Sequence, residues 1–244
     1  MKRKGGEILN KEEYILKHYG KIKAKDLAKK LNMTIHQVYG VARRNNITQK
    51  QNQIVNIDND MHQIIISGIL GDGRIKKNGK FNYYYSECHA MGEQEYLLWK
   101  KDMLKDLTKN SEVYKKNYNN KYNDALEFTS LTTPSLIPYS QLSKKDCIIQ
   151  LDELGLLLLI LDDGWGRKYT NGNGLCLSFN NHYIDELYLL KDAYNSVLDV
   201  NSKVVGKKIK FLSFSYKYEY IFKDIVRKYN MQHLDVVKKK MSTF

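Results

Sequence analysis

Cysteine, proline and long apolar runs are scarce in this chain of 244 residues, which has 3 cysteines and 2 prolines. The cysteines (Cys88, Cys147 and Cys176) form no CxxC pair, which argues against a disulfide framework and a structural zinc site. The apolar run 154–161 is too short to span a bilayer. The basic amino terminus lacks the apolar core of a secretory signal. We therefore expect a cytoplasmic or organellar protein that is not secreted and has no membrane partner.

Acidic residues are also in the minority. The chain has 27 acidic and 40 basic residues, which gives a formal net charge of +13. Such an excess favours a polyanionic partner, and a basic surface that serves only solubility is the alternative. A hydrophobic content of 42% is enough for a real core, in one large domain or two small ones.

The most informative stretch is 64–73, IIISGILGDG, where an apolar run ends in an acid and a glycine. On a helix, Ser67 and Gly71 share one face, and such small residues let a second backbone approach closely. Asp72 would then lie at the helix end, with Gly73 in the left-handed conformation that stops the helix. An acid is unfavourable there, so we expect a positive group nearby, and a divalent cation is one candidate. Taken alone, a core helix with an Asp-Gly cap also fits.

A second copy of this pattern changes the interpretation. Residues 155–164, GLLLLILDDG, again end an apolar run in Asp-Gly, and the acids are 163 − 72 = 91 residues apart. The segments 96–100 and 187–191 repeat at the same offset. An internal repeat of this size predicts a pseudo-two-fold chain. If the two helices pack on the axis, Asp72 and Asp163 meet, and two such carboxylates repel unless they share a proton or a metal.

These motifs resemble those of the LAGLIDADG homing endonucleases, in the single-chain form with two motifs. The resemblance implies an α+β saddle of two pseudo-symmetric αββαββα repeats, here 61–150 and 151–244. It also implies that the last acid of each motif binds metal and that each acid serves the cleavage of one DNA strand. By position these acids are Asp72 and, rather than Asp162, Asp163. The second motif has Asp162 where the first has Gly71, which leaves the choice between the two acids open.

The resemblance also implies a cofactor, Mg²⁺ or another divalent cation such as Mn²⁺. The backbone carbonyls of Gly71 and Asp162 could complete the coordination of an ion held by the two acids, because hard cations prefer oxygen. The family places a basic residue late in each repeat, and the best matches are Lys145 and Lys238. Lys144 and Lys239 fit almost as well, and a solvated charge cluster is the alternative for each pair.

The first 47 residues have the apolar spacing of a helix-turn-helix domain, followed by a polar linker at 48–60. Thr34 and Gln37 form a capping box for its second helix. That helix would present four candidate DNA contacts, which are His36, Gln37, Arg43 and Arg44. A plain helical hairpin with a solvated basic face is the alternative.

After each motif the pattern changes to strands. Segments 74–77 and 80–88 flank Asn78-Gly79, a strong hairpin signal, and 175–180 alternate between apolar and polar residues. The candidate DNA contacts on these strands are Arg74, Lys76, Lys80, Arg167, Ser178 and Asn180. Solvated strand faces and hairpin tips are the alternative.

Together these features predict a site-specific double-strand DNA endonuclease, intron-encoded or free-standing. Because both motifs lie in one chain, it would act as a monomer on a long asymmetric target in double-stranded DNA. The alternative is a non-cleaving nucleic-acid binder on the same scaffold, either an intron-splicing maturase or a transcription regulator.

Overall fold

The computed structural model describes residues 10–45, 47, 54–78, 82–116, 124–169, 172–178, 184–207 and 209–242; for 167–169, 172 and 173 it describes the backbone only. Among these residues, no helix is both long and apolar enough to cross a membrane.

The amino-terminal domain is a three-helix unit with its own core. Its helices are α1 (Lys11–His18), α2 (Ala24–Leu31) and α3 (Ile35–Arg44). Asn32 adopts the left-handed conformation at the end of α2 and turns the chain. The predicted capping box is present: Gln37 N donates to Thr34 Oγ1, and Thr34 N donates to Gln37 Oε1. Ile15, Leu27 and Val38 are fully buried between the helices.

The end of the predicted linker lies on the first repeat rather than free of it. Val55 is buried in the large core of the two repeats, and its backbone N–H donates to Ser135 Oγ at 2.9 Å. Ile57 packs on the same core. The polar connection is therefore shorter than 48–60.

The first repeat folds in the order helix, hairpin, helix, hairpin, helix. Its elements are α4 (Asn59–Leu70), β1 (Gly73–Asn78), β2 (Asn82–Ala90), α5 (Gln94–Met103), β3 (Tyr114–Lys116), β4 (Ala125–Thr129) and α6 (Lys144–Ile148). The sheet is antiparallel with strand order β1-β2-β4-β3. A capping box between Ser143 and Asp146 starts α6.

The second repeat has the same plan. Its elements are α7 (Glu153–Asp163), β5 (Gly164–Tyr169), β6 (Gly172–Ser178), α8 (Ile184–Val197), β7 (Lys203–Val205), β8 (Phe211–Ser215), α9 (Glu219–Lys228) and α10 (Asp235–Met241). The strand order β5-β6-β8-β7 matches that of the first sheet. The predicted α+β fold with two αββαββα repeats is confirmed.

The two motif helices, α4 and α7, pack against each other at the centre of a shared core. Gly155 lets Gln63 approach, because a Cβ at Gly155 would lie 2.4 Å from Gln63 Oε1. Gln63 spans the junction: its Nε2 donates to Gln150 O, and its Oε1 accepts from Asp152 N, both at 2.9 Å. This packing brings the carboxyl ends of the two helices together.

The end of α4 differs from the prediction. Gly73 does not take the left-handed conformation but is the first residue of β1, and Gly71 caps the helix. Glycine is needed at 73 for space, because a Cβ there would lie 2.3 Å from the Tyr85 hydroxyl. A Cβ on Gly68 would lie 1.9 Å from the same hydroxyl. The buried Tyr85 therefore holds the helix end and the strand start together.

The 91-residue offset applies to the motifs but not to the elements that follow them. Gly73 pairs with Glu87, whereas its counterpart Gly164 pairs with Leu177, so the offset has become 177 − 87 = 90. The hairpin of the second repeat is one residue shorter. The buried positions of the outer helices follow the same offset in the pairs Leu97/Leu187, Lys100/Leu190 and Leu104/Tyr194. The predicted match of 96–100 with 187–191 was therefore one residue out of register.

Candidate active site

The predicted acids meet where α4 and α7 end. A Cβ on Gly71 would lie 3.5 Å from Asp162 Oδ2 and 3.6 Å from Asp163 Oδ2. Gly71 thus leaves room for the acids of the second motif beside those of the first. Asp72 follows directly, with 46% of its side chain exposed, and Asp163 is also open to solvent.

Burial and neighbouring acids raise the pKa values of Asp72 and Asp163. Partial burial and the charge of Asp162 raise the pKa of Asp72. Burial, followed by Asp162 and Asp72, raises the pKa of Asp163 to about 6. The carboxylates of Asp72 and Asp163 thus lack full compensation by the surrounding protein, a situation that a bound cation relieves.

Asp162 has different surroundings from Asp163. Its side chain is 0% exposed, and Lys100 Nζ donates to both of its carboxylate oxygens, at 2.8 and 2.9 Å. The Tyr96 hydroxyl donates to Asp162 Oδ1 at 2.8 Å. The side chain of Asp162 is therefore bound within the protein, whereas Asp163 faces the open end of the helices.

Behind Asp72 lies a buried charged network on β2. Lys100 Nζ also donates to Glu87 Oε1 at 2.5 Å, and the Tyr85 hydroxyl donates to Glu87 Oε2 at 2.6 Å. His89 lies between Glu87 Oε1 (3.0 Å from Nε2) and Asp72 Oδ2 (3.8 Å from Nδ1). Burial alone would raise the pKa of Glu87, but Lys100 and His89 hold it at about 2.

Histidine 89 is held in its charged form. Burial would lower the pKa of His89, but hydrogen bonds to Glu87 and Glu93 raise it to about 10. Sequence analysis missed this network, because Glu87 and His89 look like ordinary polar residues of a strand. Glu87 and His89 lie two and four residues after the buried Tyr85 and so share its face of β2. Ionisable residues on the core face of a strand are the signal that could have identified them.

The lysine that the structure brings to the acids is Lys240. Its Nζ donates to the carbonyl of Gly164, the residue after Asp163. Burial lowers the pKa of Lys240, against the opposing effect of Glu93, Asp162 and Asp163. The spacing of α10 explains the choice, because Lys240 follows the buried Val236 and Val237 by one turn.

The two lysines predicted from sequence lie elsewhere. Lys238 is exposed and pairs with Asp235 at 2.9 Å on the outer side of α10. Lys145 is exposed on α6, a helix that packs against α4 and α8. Within the described part of the chain, no ion pair joins either lysine to Asp72 or Asp163.

The donors at this site fit a hard divalent cation. Asp72 and Asp163 offer exposed carboxylate oxygens, and the carbonyls of Gly71 and Asp162 lie next to them in the chain. These are oxygen ligands, of the type that Mg²⁺ and Mn²⁺ prefer. The raised pKa values of both acids show that the site gains from added positive charge.

The first sheet carries basic residues on the face away from the helices. Directly paired residues share a face, so Arg74 and Lys76 of β1 lie with Ser86 and Tyr84, opposite the buried Tyr85. Arg74 is exposed. Lys76 lies 3.5 Å from Glu127 Oε1 and so is partly engaged by an acid on the same face.

The remaining predicted strand contacts are only partly described. Lys80 and Asn180 lie outside the described residues, and for Arg167 only the backbone in β5 is described. Ser178 ends β6, half-buried. Cys176, predicted to share the polar face with Ser178, is fully buried, so that face is less polar than the alternation suggested.

In the amino-terminal domain, the four predicted contacts lie on α3. His36, Arg43 and Arg44 are exposed. Gln37 is exposed too, but its side-chain oxygen is engaged in the capping box. Its amide N–H groups stay available for a base or phosphate.

A family model matches residues 62–222, which include most of α4, all of α7 and both sheets; it describes the LAGLIDADG DNA endonuclease family. The chain belongs to this family. A search of curated proteins gives no match. The predicted resemblance to the LAGLIDADG endonuclease family is therefore confirmed.

Several solved structures are similar to this chain. The homing endonuclease I-WcaI bound to its DNA recognition sequence is similar with a TM-score of 0.61 and 16% identity, over 78% of this chain and 89% of that one. A variant of I-DmoI in complex with nicked target DNA and Mn matches with a TM-score of 0.46 and 13% identity, over 74% of this chain and 100% of that one. The N-terminal LAGLIDADG domain of DUF199/WhiA matches with a TM-score of 0.41 and 13% identity, over 75% of this chain and 89% of that one.

Proposed function

We propose that the chain is a site-specific, metal-dependent endonuclease that cuts both strands of double-stranded DNA. The observation that carries this proposal is the meeting of Asp72 and Asp163 at the ends of two packed helices, open to solvent and with raised pKa values. Family membership supports it. Because both acids come from one chain, we propose a monomer acting on a long asymmetric site.

In this proposal Asp72 and Asp163 bind Mg²⁺ or Mn²⁺, and the Gly71 and Asp162 carbonyls complete the shell. A metal held there supplies an activated water and neutralises the scissile phosphate. Lys240 is the basic residue beside Asp163 that faces the phosphate. Exposed residues of the first sheet, including Arg74, bind the DNA backbone beside the cut.

The amino-terminal domain is proposed to bind DNA next to the cleavage site through α3. His36 would reach base edges from the start of the helix, and Arg43 and Arg44 would contact phosphates. This domain would lengthen the DNA site that the protein recognises, without contributing groups to strand cleavage.

A non-cleaving binder, a maturase or transcription regulator, is the second candidate. The motif acids argue against it. A scaffold used only for binding has no need of two exposed acids whose pKa values are raised and whose charges would repel a phosphate.

The test is incubation of the full chain with a plasmid that carries the DNA around the gene's own insertion point, with Mg²⁺ or with EDTA. We expect linear DNA with Mg²⁺ and intact plasmid with EDTA. The same plasmid without the insert is the control. Specific binding without any strand cleavage in Mg²⁺ or Mn²⁺ would support the non-cleaving function.

A further inference from the structure

Lys100 is a fully buried charge near the candidate metal-binding acids. Its side chain is 0% exposed, and it extends from α5 of the first repeat to Asp162 on α7 of the second. The same ammonium group contacts Glu87 of β2. A lysine at this depth persists only when it is fully paired, and here it pairs with one carboxylate from each repeat.

These contacts engage both oxygens of the Asp162 carboxylate. Lys100 bonds to both oxygens, and Tyr96 bonds to Oδ1 as well. Glu87, His89 and Asp162 offer ligand atoms that all lie within 4.8 Å of one another, which is the spacing of a cation site. Lys100 Nζ bonds to two of the three, so the cation at this place is a lysine ammonium.

The second repeat shows that the fold itself does not need this cluster. By strand register and burial, Leu177 stands where the first repeat has Glu87, and Leu190 where it has Lys100. At the motif position itself, the first repeat has Gly71 and the second Asp162. The buried Lys100 therefore faces the second motif, which has the extra acid Asp162. For the first motif, which has Gly71 instead, the equivalent residue is Leu190.

We propose that Lys100 is a positioning residue of the metal centre, which holds the Asp162 side chain inside the protein so that Asp163 provides the carboxylate of the second motif. This proposal rests on the metal-dependent function proposed above. Without Lys100, adjacent acids on α7 would compete for the ion. With it, the second motif presents one free carboxylate, as the first motif does with Asp72.

The experiment measures Mn²⁺ binding to the full chain by electron paramagnetic resonance, independently of cleavage. Asp163→Asn should weaken binding about tenfold. Adding Glu87→Gln and Lys100→Met to Asp163→Asn should restore affinity to within about threefold, because the freed Asp162 carboxylate takes the place of the missing one. Glu87→Gln keeps the variant from burying an unpaired glutamate, and circular dichroism checks its fold.

Lys191→Met is the matched control, since it makes the same substitution on the other outer helix, where Lys191 pairs with Asp192. Combined with Asp163→Asn, it should leave the Mn²⁺ affinity as low as that of Asp163→Asn alone. Failure of the Glu87→Gln and Lys100→Met pair to restore binding in a folded protein would overturn the role of Lys100. No Mn²⁺ binding by the wild type would instead overturn the metal centre itself, and this proposal with it.

A second measurement needs no variant. In wild-type crystals soaked in Mn²⁺, the anomalous signal should lie at Asp72 and Asp163 while the Asp162 carboxylate stays on Lys100. Mn²⁺ coordinated by the Asp162 carboxylate would overturn the proposal, whether or not the variants fold.

Discussion

Asp162 and Asp163 are neighbours in the chain, but their side chains have opposite surroundings. Asp162 is fully buried against Lys100, whereas Asp163 is open to solvent and has a pKa raised to about 6. This difference assigns separate roles to two chemically identical residues. Asp162 joins the two repeats, and Asp163 is the candidate metal ligand.

The raised pKa of Asp163 predicts how stability depends on pH without metal. Between its ordinary pKa of 3.8 and the folded value of about 6, the folded state holds more protons than the unfolded state. The contribution of Asp163 to the free energy of unfolding should therefore fall as the pH rises through this window, whereas carboxyls with lowered pKa values, such as Glu87, contribute in the opposite direction. Denaturant titrations of the wild type and of Asp163→Asn in EDTA isolate the Asp163 contribution as the difference between their pH slopes.

Two controls isolate the acid site in those titrations. Asp163→Asn should remove the negative contribution of Asp163 from the slope, while that of Asp72, whose pKa is shifted in the same direction, remains. Saturating Mg²⁺ should also diminish these negative contributions, because it stabilises the ionised acids. An identical slope in Asp163→Asn would show that the acid does not titrate in this range.

The lysine beside the acids can be tested against its neighbour on the same helix. Lys240→Met should slow cleavage by about 10²-fold if its charge stabilises the transition state. Lys238→Met, on the exposed side of α10, should stay close to the wild-type rate. Single-turnover cleavage at saturating protein measures both, and the reverse order would restore the assignment made from sequence.

The junction of α4 and β1 predicts a strong effect of one methyl group. Gly68→Ala would place a Cβ 1.9 Å from the buried Tyr85 hydroxyl and should destabilise the fold by about 1–3 kcal/mol. Gly92→Ala is the control, since nothing lies within 4 Å of its Cβ position. Thermal unfolding of the two variants should differ clearly, and equal midpoints would contradict the close packing.

Much of the fold follows from local patterns. The apolar runs predict α4 and α7, alternation and Asn-Gly predict the first hairpin, and Thr34 with Gln37 predicts the start of α3. The meeting of Asp72 and Asp163 follows from the internal repeat. These features can be predicted because each depends on residues a few positions apart or on a motif that occurs twice in the chain.

The buried network was beyond such patterns. Lys100 contacts Asp162 across 62 residues of sequence, and a one-residue difference between the hairpins hid its equivalence to Leu190. Lys240 was missed because a run of three lysines does not indicate which of them faces the acids until the limits and period of α10 are known. Long-range pairing and helix phase therefore account for most of what sequence analysis missed at the site.

The amino-terminal domain should extend the DNA footprint without contributing to the chemistry. Removal of residues 1–47 should shorten the footprint on one side and weaken binding. The log–log salt dependence should become shallower by about 0.9 for each phosphate that the shortened chain no longer neutralises. Single-turnover cleavage at saturating protein should change little. An unchanged footprint and salt slope would mean that this domain serves another partner or is only a structural cap.

The central claim, that Asp72 and Asp163 together form a metal-dependent nuclease site, is tested most directly by replacing each acid with its isosteric amide. Cleavage and binding of the target duplex are then measured in parallel with Mg²⁺. Asp72→Asn and Asp163→Asn should each abolish cleavage while binding stays largely intact, because each removes one carboxylate and keeps the shape of the site. Full cleavage by either variant would contradict the account.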